Sequence, residues 1–472
     1  MKELVKKLEK VVKNNKSKCA YIVNYKSITY GDLWKKACLC ADLLKREGSS
    51  PVIIYSNKCI KSFVMMISCI IANRPYVYVD KAMPISRLNE IINLTKSSIV
   101  ISDERLDFCP ISISFDELNK FKNLEKKNID NNTAYIIFTS GSTGKPKGVP
   151  ISYDNLNNFI NWISNFKPLK DYKNINVLNQ ASFSFDLSVA DMFYSLCNGH
   201  TLVSANDNFD VINTIETYNI NTMFVTNTFI KYCLLNKTFN SDQCTSLKCI
   251  YLCGEQLEKE VVKKLFSRFP DLVVINAYGP TEATSAVSGI IITNDILNND
   301  MEILPVGSCD NFATDIEINN NEIILGGKSV FSGYLNYNND SFIRKNNKTY
   351  FKTGDIGFID NNMLYCKGRL DSLIKYKGYR IELEDIENSI KSIDFVDSCV
   401  VIPVYNDNNV VKSIKAFVKA DKNIDSKYIK DKLKDMVPEY MIPRTIVFVE
   451  RFPINKNFKI DRKALIEYDK CC

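Results

Sequence analysis

The sequence predicts an α/β protein, with a large N-terminal domain of layered α/β subdomains and a β-rich segment, followed by a small α+β C-terminal domain. Strand-like apolar runs alternate with helix-like stretches through most of the first 365 residues, which is typical of layers with largely parallel sheets. The pattern changes to short β segments with turn residues from Asn319, and to a compact α+β pattern after Arg369. The 472 residues suffice for about three domain-sized units. We therefore predict domains at residues 1–368 and 371–472.

The first elements follow from apolar spacing. Residues 1–13 place apolar side chains on one face of a helix, and the apolar run Phe63–Ala72 is too short to span a bilayer, which predicts a buried helix. Short apolar runs bounded by polar residues predict buried strands. These strands are Val52–Tyr55, Tyr76–Val79, Ala134–Phe138, Thr222–Val225, Ile250–Leu252 and Leu272–Ile275.

The later elements are shorter. Asn321–Leu325 and Thr349–Lys352 are typical of β segments, and the main domain boundary is expected near Gly368–Asp371. Asparagine-rich stretches predict loops or turns. They are Asn128–Asn132, Asn319–Asn321, Asn336–Asn339 and Asn346–Asn347.

Composition excludes several classes of function. Hydrophobic residues make up 45% and charged residues 24%, which is ordinary for a soluble globular protein. The net charge of +7 is too dilute to favour nucleic-acid binding. The single histidine, His200, excludes multi-histidine metal sites and any Ser-His-Asp triad that does not use it. Sixteen cysteines without a CxxC pair, a secretory signal or a membrane segment predict reduced thiols and a cytoplasmic protein.

The sharpest motif is the run Thr139–Gly148, which follows the predicted strand Ala134–Phe138. Its three glycines and several hydroxyl groups allow backbone N–H and side-chain O–H groups to converge on phosphate oxygens. It is not a Walker A loop, because Pro146 follows Lys145 where that motif needs serine or threonine. The motif predicts a phosphate-binding loop; the alternative is a flexible Gly/Ser loop.

A second cluster, Asn276–Glu282, also follows an apolar strand. Tyr278 offers a ring for a nucleobase, Thr281 a hydroxyl for a phosphate and Glu282 a hard oxygen for Mg²⁺. The alternative is a Tyr-Gly-Pro turn with a solvated glutamate. Further along, Asp355 could accept both hydroxyls of a ribose, although a Thr-Gly-Asp sequence alone is more often a turn.

Taken in order, these motifs resemble the adenylate-forming superfamily, which includes acyl-CoA synthetases, luciferases and peptide-synthetase adenylation domains. The resemblance runs from about Thr29 to Lys463. It also covers Phe185–Ser188, Glu322–Gly327, Gly333–Leu335, Lys352–Asp355, Gly368–Asp371, Tyr376–Glu382 and Lys459. Within the superfamily, three stretches look most like the stand-alone D-alanine–carrier-protein ligases. They are Leu178–Asp191, Tyr251–Leu257 and Tyr278–Val287.

The resemblance implies ATP-dependent formation of an aminoacyl-AMP, with ATP and Mg²⁺ as cofactors. Lys459 would be the catalytic residue, contacting both the nucleotide and the substrate carboxylate, and Glu282 would hold the metal. ATP would be bound by Thr139, Ser140, Ser142, Thr143, Gly144, Lys147, Asn276, Ala277, Tyr278, Gly279, Pro280, Thr281, Asp355, Cys366, Lys367, Gly368, Arg369 and Lys459.

The resemblance further implies a second half-reaction, in which the aminoacyl group moves to the phosphopantetheine thiol of a separate carrier protein. The C-terminal domain would rotate about Asp371 and bring Gly378 and Tyr379 to the site. In the D-alanine ligases this chemistry serves D-alanylation of teichoic acids. Phe458 departs from the family pattern, because a glycine usually precedes the catalytic lysine.

Amino-acid selection is expected to depend on Asp186, Ala190, Cys253, Ser285 and Lys459. Asp186 would pair with the α-ammonium, and cysteine at position 253 matches the D-alanine ligases. Ala190 and Ser285 depart from them and make the pocket wider or more polar. Asn227 stands where the close relatives have proline, which predicts a looser turn next to the pocket. Adenylation of another small or polar amino acid, of the peptide-synthetase type, therefore stays open. A non-catalytic relative and an acyl-CoA synthetase are less favoured, the latter because of Asp186.

Overall fold

The computed structural model describes residues 2–109, 111–139, 146–204, 210–335, 341–345, 348–370, 373–406, 410–420, 424–453 and 465. The helices are α1 (Glu3–Asn14), α2 (Tyr30–Glu47), α3 (Ile60–Ala72), α4 (Ile85–Thr95), α5 (Tyr153–Asn165), α6 (Leu187–Asn198), α7 (Val211–Tyr218), α8 (Asn227–Leu235), α9 (Lys259–Arg268), α10 (Asn294–Leu297), α11 (Leu383–Lys391) and α12 (Ser426–Lys434). Short 3₁₀ helices cover Phe115–Phe121, Leu169–Asp171, Thr281–Ala283, Cys309–Asn311 and Glu439–Met441.

The strands alternate with these helices over the first two-thirds of the chain. They are β1 (Cys19–Val23), β2 (Lys26–Thr29), β3 (Val52–Tyr55), β4 (Tyr76–Val79), β5 (Ile99–Ser102), β6 (Ser112–Ser114), β7 (Thr133–Thr139), β8 (Lys147–Ser152), β9 (Asn176–Asn179), β10 (Thr201–Ser204), β11 (Ile220–Val225), β12 (Cys249–Leu252), β13 (Val273–Tyr278), β14 (Ser288–Ile291), β15 (Gly307–Ser308), β16 (Asp315–Asn319), β17 (Glu322–Gly326), β18 (Phe342–Lys345), β19 (Lys348–Asp360), β20 (Met363–Arg369), β21 (Leu373–Tyr376), β22 (Tyr379–Glu382), β23 (Val396–Tyr405), β24 (Val411–Ala420) and β25 (Thr445–Phe448).

Two large sheets form the α/β layers, which confirms the predicted fold class. Within the described residues, one sheet has the strand order β14-β13-β12-β11-β9-β10-β1-β2 and the other β6-β5-β3-β4-β7-β8. Their inner pairings are parallel, and inner strands such as β3, β4, β10 and β12 are buried on both faces, as expected where helices cover both sides of a sheet. The predicted helix within Phe63–Ala72 is α3, which is almost wholly buried.

A smaller β-rich sheet follows in the order β15-β20-β19-β17-β16, with β18 paired to β19. Its β16–β17 hairpin turns through Asn320 and Asn321, whose φ angles are +50° and +64°. Asparagine tolerates this left-handed conformation better than most residues, which explains the predicted asparagine turn. The stretches Asn336–Asn339 and Asn346–Asn347 lie outside the described residues.

Four neighbouring parallel strands, β9, β11, β12 and β13, end at one edge of the eight-stranded sheet. In such sheets ligands bind beyond the carboxyl ends of the strands. Strand β13 continues to Tyr278, three residues past the predicted end at Ile275, because Asn276 to Tyr278 also pair with the antiparallel strand β14. The tyrosine of the second motif therefore sits at the very end of a strand.

The chain separates into two compact units. The first contains residues 1–81, 94–137 and 148–368, and the second contains residues 82–93, 138–147 and 369–472. The second unit holds the β21–β22 hairpin and the sheet β23-β24-β25, whose apolar face packs against α11 and α12. Within the described ranges, no helix combines the length and apolar character that crossing a bilayer requires.

Inside the second unit, Arg87 and Asp385 form a buried ion pair. The guanidinium Nη2 lies 2.7 Å from the carboxylate Oδ1, and the two side chains are 7% and 1% exposed. Burial raises the pKa of Asp385 to about 6, although the charge of Arg87 opposes that rise. Arg87 therefore stabilises the ionised form of the Asp385 carboxylate, which would otherwise be costly to bury.

We predict that Arg87→Ala destabilises the protein by about 3–5 kcal/mol, because it leaves the Asp385 carboxylate buried without its cation. The folded pKa of Asp385 exceeds its unfolded value of about 3.9, so the folded state binds more protons between pH 4 and 6. The contribution of Asp385 to the free energy of unfolding therefore decreases as the pH rises from about 4 to 6. The decrease should be larger in Arg87→Ala, because that variant lacks the cation that favours the ionised carboxylate. Urea unfolding at pH 5 and pH 7 measures both effects.

The matched control is Lys61→Ala, which breaks the exposed pair between Lys61 and Asp116 at 3.0 Å. Such surface pairs contribute about 0–1 kcal/mol. A loss for Arg87→Ala no larger than that for Lys61→Ala would show that the buried pair does not stabilise the fold.

Candidate active site

The edge formed by the ends of β9, β11, β12 and β13 carries the predicted amino-acid-binding residues and the turn after β13. Asp186 follows β9 and immediately precedes α6, Cys253 follows β12, and the turn Tyr278–Glu282 follows β13. Because these strands are parallel neighbours, residues about a hundred positions apart in the chain come to the same edge. The sequence motifs identify these residues as candidates, and the order of the strands in the sheet places them at the same edge.

Tyr278 and Asp355 are directly bonded. The Tyr278 hydroxyl donates to Asp355 Oδ2 at 2.7 Å, and both side chains are buried. Burial, with the nearby Asp355 charge, raises the pKa of Tyr278 well above its usual value, so the phenol stays a proton donor. The Asp355 backbone N–H in turn donates to Thr353 Oγ1 at 3.0 Å. The predicted adenine-binding ring and ribose-binding carboxylate thus belong to one hydrogen-bonded unit.

Asp186 and Thr281 form a second pair. The Thr281 hydroxyl donates to Asp186 Oδ2 at 2.6 Å, and Asp186 is 8% exposed. Although Asp186 occupies the N-cap of α6, its side chain makes no capping hydrogen bond to that helix. Its carboxylate is instead directed to the turn after β13, where a bound ammonium group could reach it.

Glu282 forms a third pair, with a residue that the sequence interpretation missed. The Tyr334 hydroxyl donates to Glu282 Oε1 at 2.6 Å, and Glu282 is 0% exposed. The Gly333–Leu335 stretch contributed to the family resemblance, but no role was assigned to its tyrosine. Because the partners are separated by 52 residues, no local spacing could have linked them.

The predicted amino-acid pocket residues Cys253 and Ser285 are neighbours. The Cys253 thiol donates to the Ser285 carbonyl at 3.8 Å, and both residues are buried. Ser285 Oγ has no hydrogen-bond partner within the described part of the chain. Gly279 lets the turn after β13 approach Ser285 and Ala286 closely, because a Cβ there would lie 2.5 Å from Ala286 Cα. Ala190, in α6, is fully buried.

Other residues of the predicted ATP site have different surroundings. The Asn276 side-chain amide donates to the Pro305 carbonyl at 2.7 Å, and Ala277 and Pro280 are buried. At the end of β20, Cys366 and Arg369 are half-buried and Lys367 and Gly368 are exposed. The Lys367 ammonium lies 4.6 Å from the Phe358 ring centroid, within cation–π range.

In the second unit, Thr139 ends β7 and Lys147 begins β8. The Lys147 ammonium lies 3.1 Å from the Glu382 carboxylate, so in this structure it is paired with a protein carboxylate. Gly378 has a φ of +84°, and the Tyr379 ring stacks on Tyr440 with centroids 3.6 Å apart.

Asn227, at which the sequence predicts a looser turn, is the first residue of α8, and Thr226 is the N-cap of that helix. The Asn227 side-chain amide donates to Glu258 Oε1 at 3.2 Å, and Glu255 accepts from the Thr228 backbone N–H at 2.7 Å. The helix start is thus tied down by side chains from the next connection, without the fixed φ that a proline would supply.

Several predicted residues lie outside the described part of the structure. They are Ser140, Ser142, Thr143, Gly144, Asp371, Phe458 and Lys459. Their roles stay predictions from the sequence.

Comparison with known proteins identifies the family of this chain. Residues 8–335 match the AMP-binding enzyme family, and residues 385–459 match the AMP-binding enzyme C-terminal domain. A D-alanine–D-alanyl carrier protein ligase of Bacillus licheniformis is 35% identical over 98% of this chain and 99% of its own. Another, from Listeria monocytogenes, is 36% identical over 89% of each chain.

Solved structures share the fold. The Vibrio cholerae adenylation domain AlmE, in complex with glycyl-adenosine-5′-phosphate, has a TM-score of 0.85 at 22% identity, covering 100% of this chain and 98% of its own. The o-succinylbenzoate CoA synthetase of Bacillus subtilis has a TM-score of 0.83 at 20% identity, covering 98% of each chain. The matches in sequence and in fold agree with the resemblance read from the motifs, and the chain belongs to the AMP-binding enzyme family of the adenylate-forming superfamily.

Proposed function

We propose that this enzyme activates D-alanine with ATP as D-alanyl-AMP, releases pyrophosphate, and transfers the D-alanyl group to the phosphopantetheine thiol of a separate carrier protein. The enzyme would act in the cytoplasm and serve teichoic acid D-alanylation. The observation that carries the proposal is the buried Asp186 carboxylate, bonded to Thr281 at the strand edge that also holds Cys253. The names of the relatives at 31–37% identity support the same substrate.

In the first half-reaction two anions must meet, since a carboxylate attacks the α-phosphate of ATP. The substrate α-ammonium would pair with Asp186. This ion pair would hold the amino acid in place, and the ammonium would offset part of the charge of the buried carboxylate. Asp355 would accept the ribose hydroxyls and Tyr278 would lie against the adenine. By family resemblance, Lys459 would contact both reacting groups and lower the electrostatic barrier between them.

Magnesium fits the donor set at this edge. Glu282 supplies one buried carboxylate, and Mg²⁺ characteristically takes one or two protein carboxylates together with phosphate oxygens and water. When bound, the ion would neutralise charge on the phosphates of ATP. Glu282 would hold it, while the hydroxyl groups of the run Thr139–Thr143 would contact the departing pyrophosphate.

The second half-reaction would use a different set of residues. Rotation about Asp371 would withdraw Lys459 and bring the loop that holds Gly378 and Tyr379 to the adenylate. The thiolate of the carrier protein would then attack the D-alanyl carbonyl carbon, form the thioester bond and release AMP.

A second candidate substrate is a small polar amino acid such as D-serine, handled in the manner of peptide-synthetase adenylation. The observation that favours it is Ser285, whose buried Oγ has no hydrogen-bond partner among the described residues. A substrate hydroxyl could serve as that partner, whereas the methyl group of alanine could not.

The decisive experiment is ATP–pyrophosphate exchange with D-alanine, L-alanine, glycine, D-serine and a fatty acid. We expect D-alanine to give the highest kcat/KM, roughly tenfold or more above L-alanine, because the buried pocket must discriminate by shape. Mass spectrometry of a phosphopantetheinylated carrier protein added to the reaction should then show one alanyl group attached.

Each other result selects another candidate. A preference for glycine, for D-serine or for an L-amino acid would replace D-alanine as the substrate. Exchange with the fatty acid alone would indicate an acyl-CoA synthetase, and no exchange with any compound would indicate a non-catalytic relative.

We predict that Asp186→Asn raises the KM for the amino acid roughly 10- to 100-fold and leaves the KM for ATP within about twofold. The variant keeps the shape of the side chain but loses a charge-assisted bond of about 1.5–3 kcal/mol. Asp355→Asn is the reciprocal control, since it should raise the KM for ATP and spare the amino acid. If both variants change only the KM for ATP, Asp186 does not bind the amino group of the substrate.

A further inference from the structure

The segment Phe331–Leu335 contacts Glu282 in two ways. The Phe331 backbone N–H donates to the Glu282 carbonyl at 2.8 Å, and the Tyr334 hydroxyl donates to Glu282 Oε1 at 2.6 Å. Both the main chain and the carboxylate of Glu282 are therefore held by one short segment that follows β17.

The position of the Tyr334 ring is itself fixed by packing. It meets the Phe331 ring edge-on, with centroids 4.8 Å apart and an interplanar angle of 72°. Phe331 is buried and packs edge-on against Phe351 of β19 at 5.4 Å. Since the ring is anchored in this aromatic cluster, its hydroxyl is directed to Glu282 before any ligand arrives.

The same segment also contacts the strand that leaves the predicted phosphate loop. Leu335 N–H donates to the Gly148 carbonyl at 2.8 Å, and the two residues form an isolated antiparallel bridge. Gly148 ends the Thr139–Gly148 motif. One stretch of five residues thus bonds to Glu282 and to the end of the phosphate-binding motif.

A neutral donor suits a carboxylate that must also bind a cation. A lysine or arginine in this position would compete with Mg²⁺ for the negative charge, whereas a phenol fixes one carboxylate oxygen and leaves the net charge in place. Burial makes such orientation valuable, because a misdirected carboxylate could not be compensated by water.

We propose that Tyr334 is a positioning residue for the divalent cation. Its hydroxyl fixes the rotamer of Glu282, so that the carboxylate is already oriented when the cation arrives with ATP. This inference rests on the proposed role of Glu282 as the magnesium-binding residue. It adds that the Tyr334 hydroxyl orients Glu282 for that role.

The test is Tyr334→Phe, which removes the hydroxyl and keeps the ring. Binding of Mn²⁺ in the presence of ATP, followed by the electron paramagnetic resonance signal of unbound Mn²⁺, should weaken roughly tenfold. The Mg²⁺ concentration for half-maximal pyrophosphate exchange should rise by a similar factor, and saturating Mg²⁺ should restore most of the rate. The KM for the amino acid should stay within about twofold.

Tyr350→Phe is the matched control. The Tyr350 hydroxyl donates to Glu317 Oε1 at the same distance of 2.6 Å, but in the β-rich sheet and outside the proposed site. It should leave Mn²⁺ binding unchanged. Wild-type Mn²⁺ affinity in Tyr334→Phe, or an equal loss in Tyr350→Phe, would overturn the proposal.

A double-mutant cycle with Glu282 distinguishes a role of Tyr334 through the carboxylate from a general disturbance of the fold. Glu282→Gln should weaken Mn²⁺ binding, and adding Tyr334→Phe should weaken it little further, because the tyrosine acts through the carboxylate. Additive losses would contradict this role. The Mn²⁺ measurement needs no amino acid, so it does not depend on whether D-alanine is the substrate. A failure of the Tyr334 proposal can therefore be distinguished from a failure of the proposed function.

Discussion

The site depends on three buried carboxylates, each of which accepts a hydrogen bond from a neutral hydroxyl group. Asp186 accepts from Thr281, Glu282 from Tyr334 and Asp355 from Tyr278, at 2.6–2.7 Å. The turn Tyr278–Glu282 supplies one member of every pair. A buried carboxylate without a donor is costly. Each hydroxyl donor offsets part of that cost and, because it is neutral, adds no positive charge beside the carboxylate.

This arrangement suggests a division of work within one turn. An amino acid, a divalent cation and a ribose each need a carboxylate, and each proposed carboxylate has its own orienting hydroxyl. The turn can hold all three because β13 carries it to the edge where β9 and β12 also end. The absence of a side chain on Gly279 lets the turn pack against Ala286, which keeps Cys253 and Ser285 beside it.

The sequence predicted the layers, the strands and the turn after β13, because apolar periodicity and Gly-Pro turns are local signals. It did not predict Tyr334 as the partner of Glu282, nor Arg87 as the partner of Asp385, which is 298 residues away. Such pairs depend on which elements become neighbours in the fold. The local periodicity of a single sequence does not show this. The start of α8 at Asn227 depends on the same kind of distant contact, because Glu255 and Glu258, which bond to it, come from the connection after β12.

The most direct test of this account is a comparison of Thr281→Val and Tyr278→Phe in pyrophosphate-exchange kinetics. Each variant removes one hydroxyl and keeps a side chain of similar shape. The sequence motif predicts a phosphate contact for the Thr281 hydroxyl, but in this structure its single proton is donated to Asp186. The account therefore predicts that Thr281→Val raises mainly the KM for the amino acid and Tyr278→Phe mainly the KM for ATP, each by roughly tenfold. If both variants raised the same constant, or neither raised any, the carboxylates would not serve separate ligands and the account would be wrong.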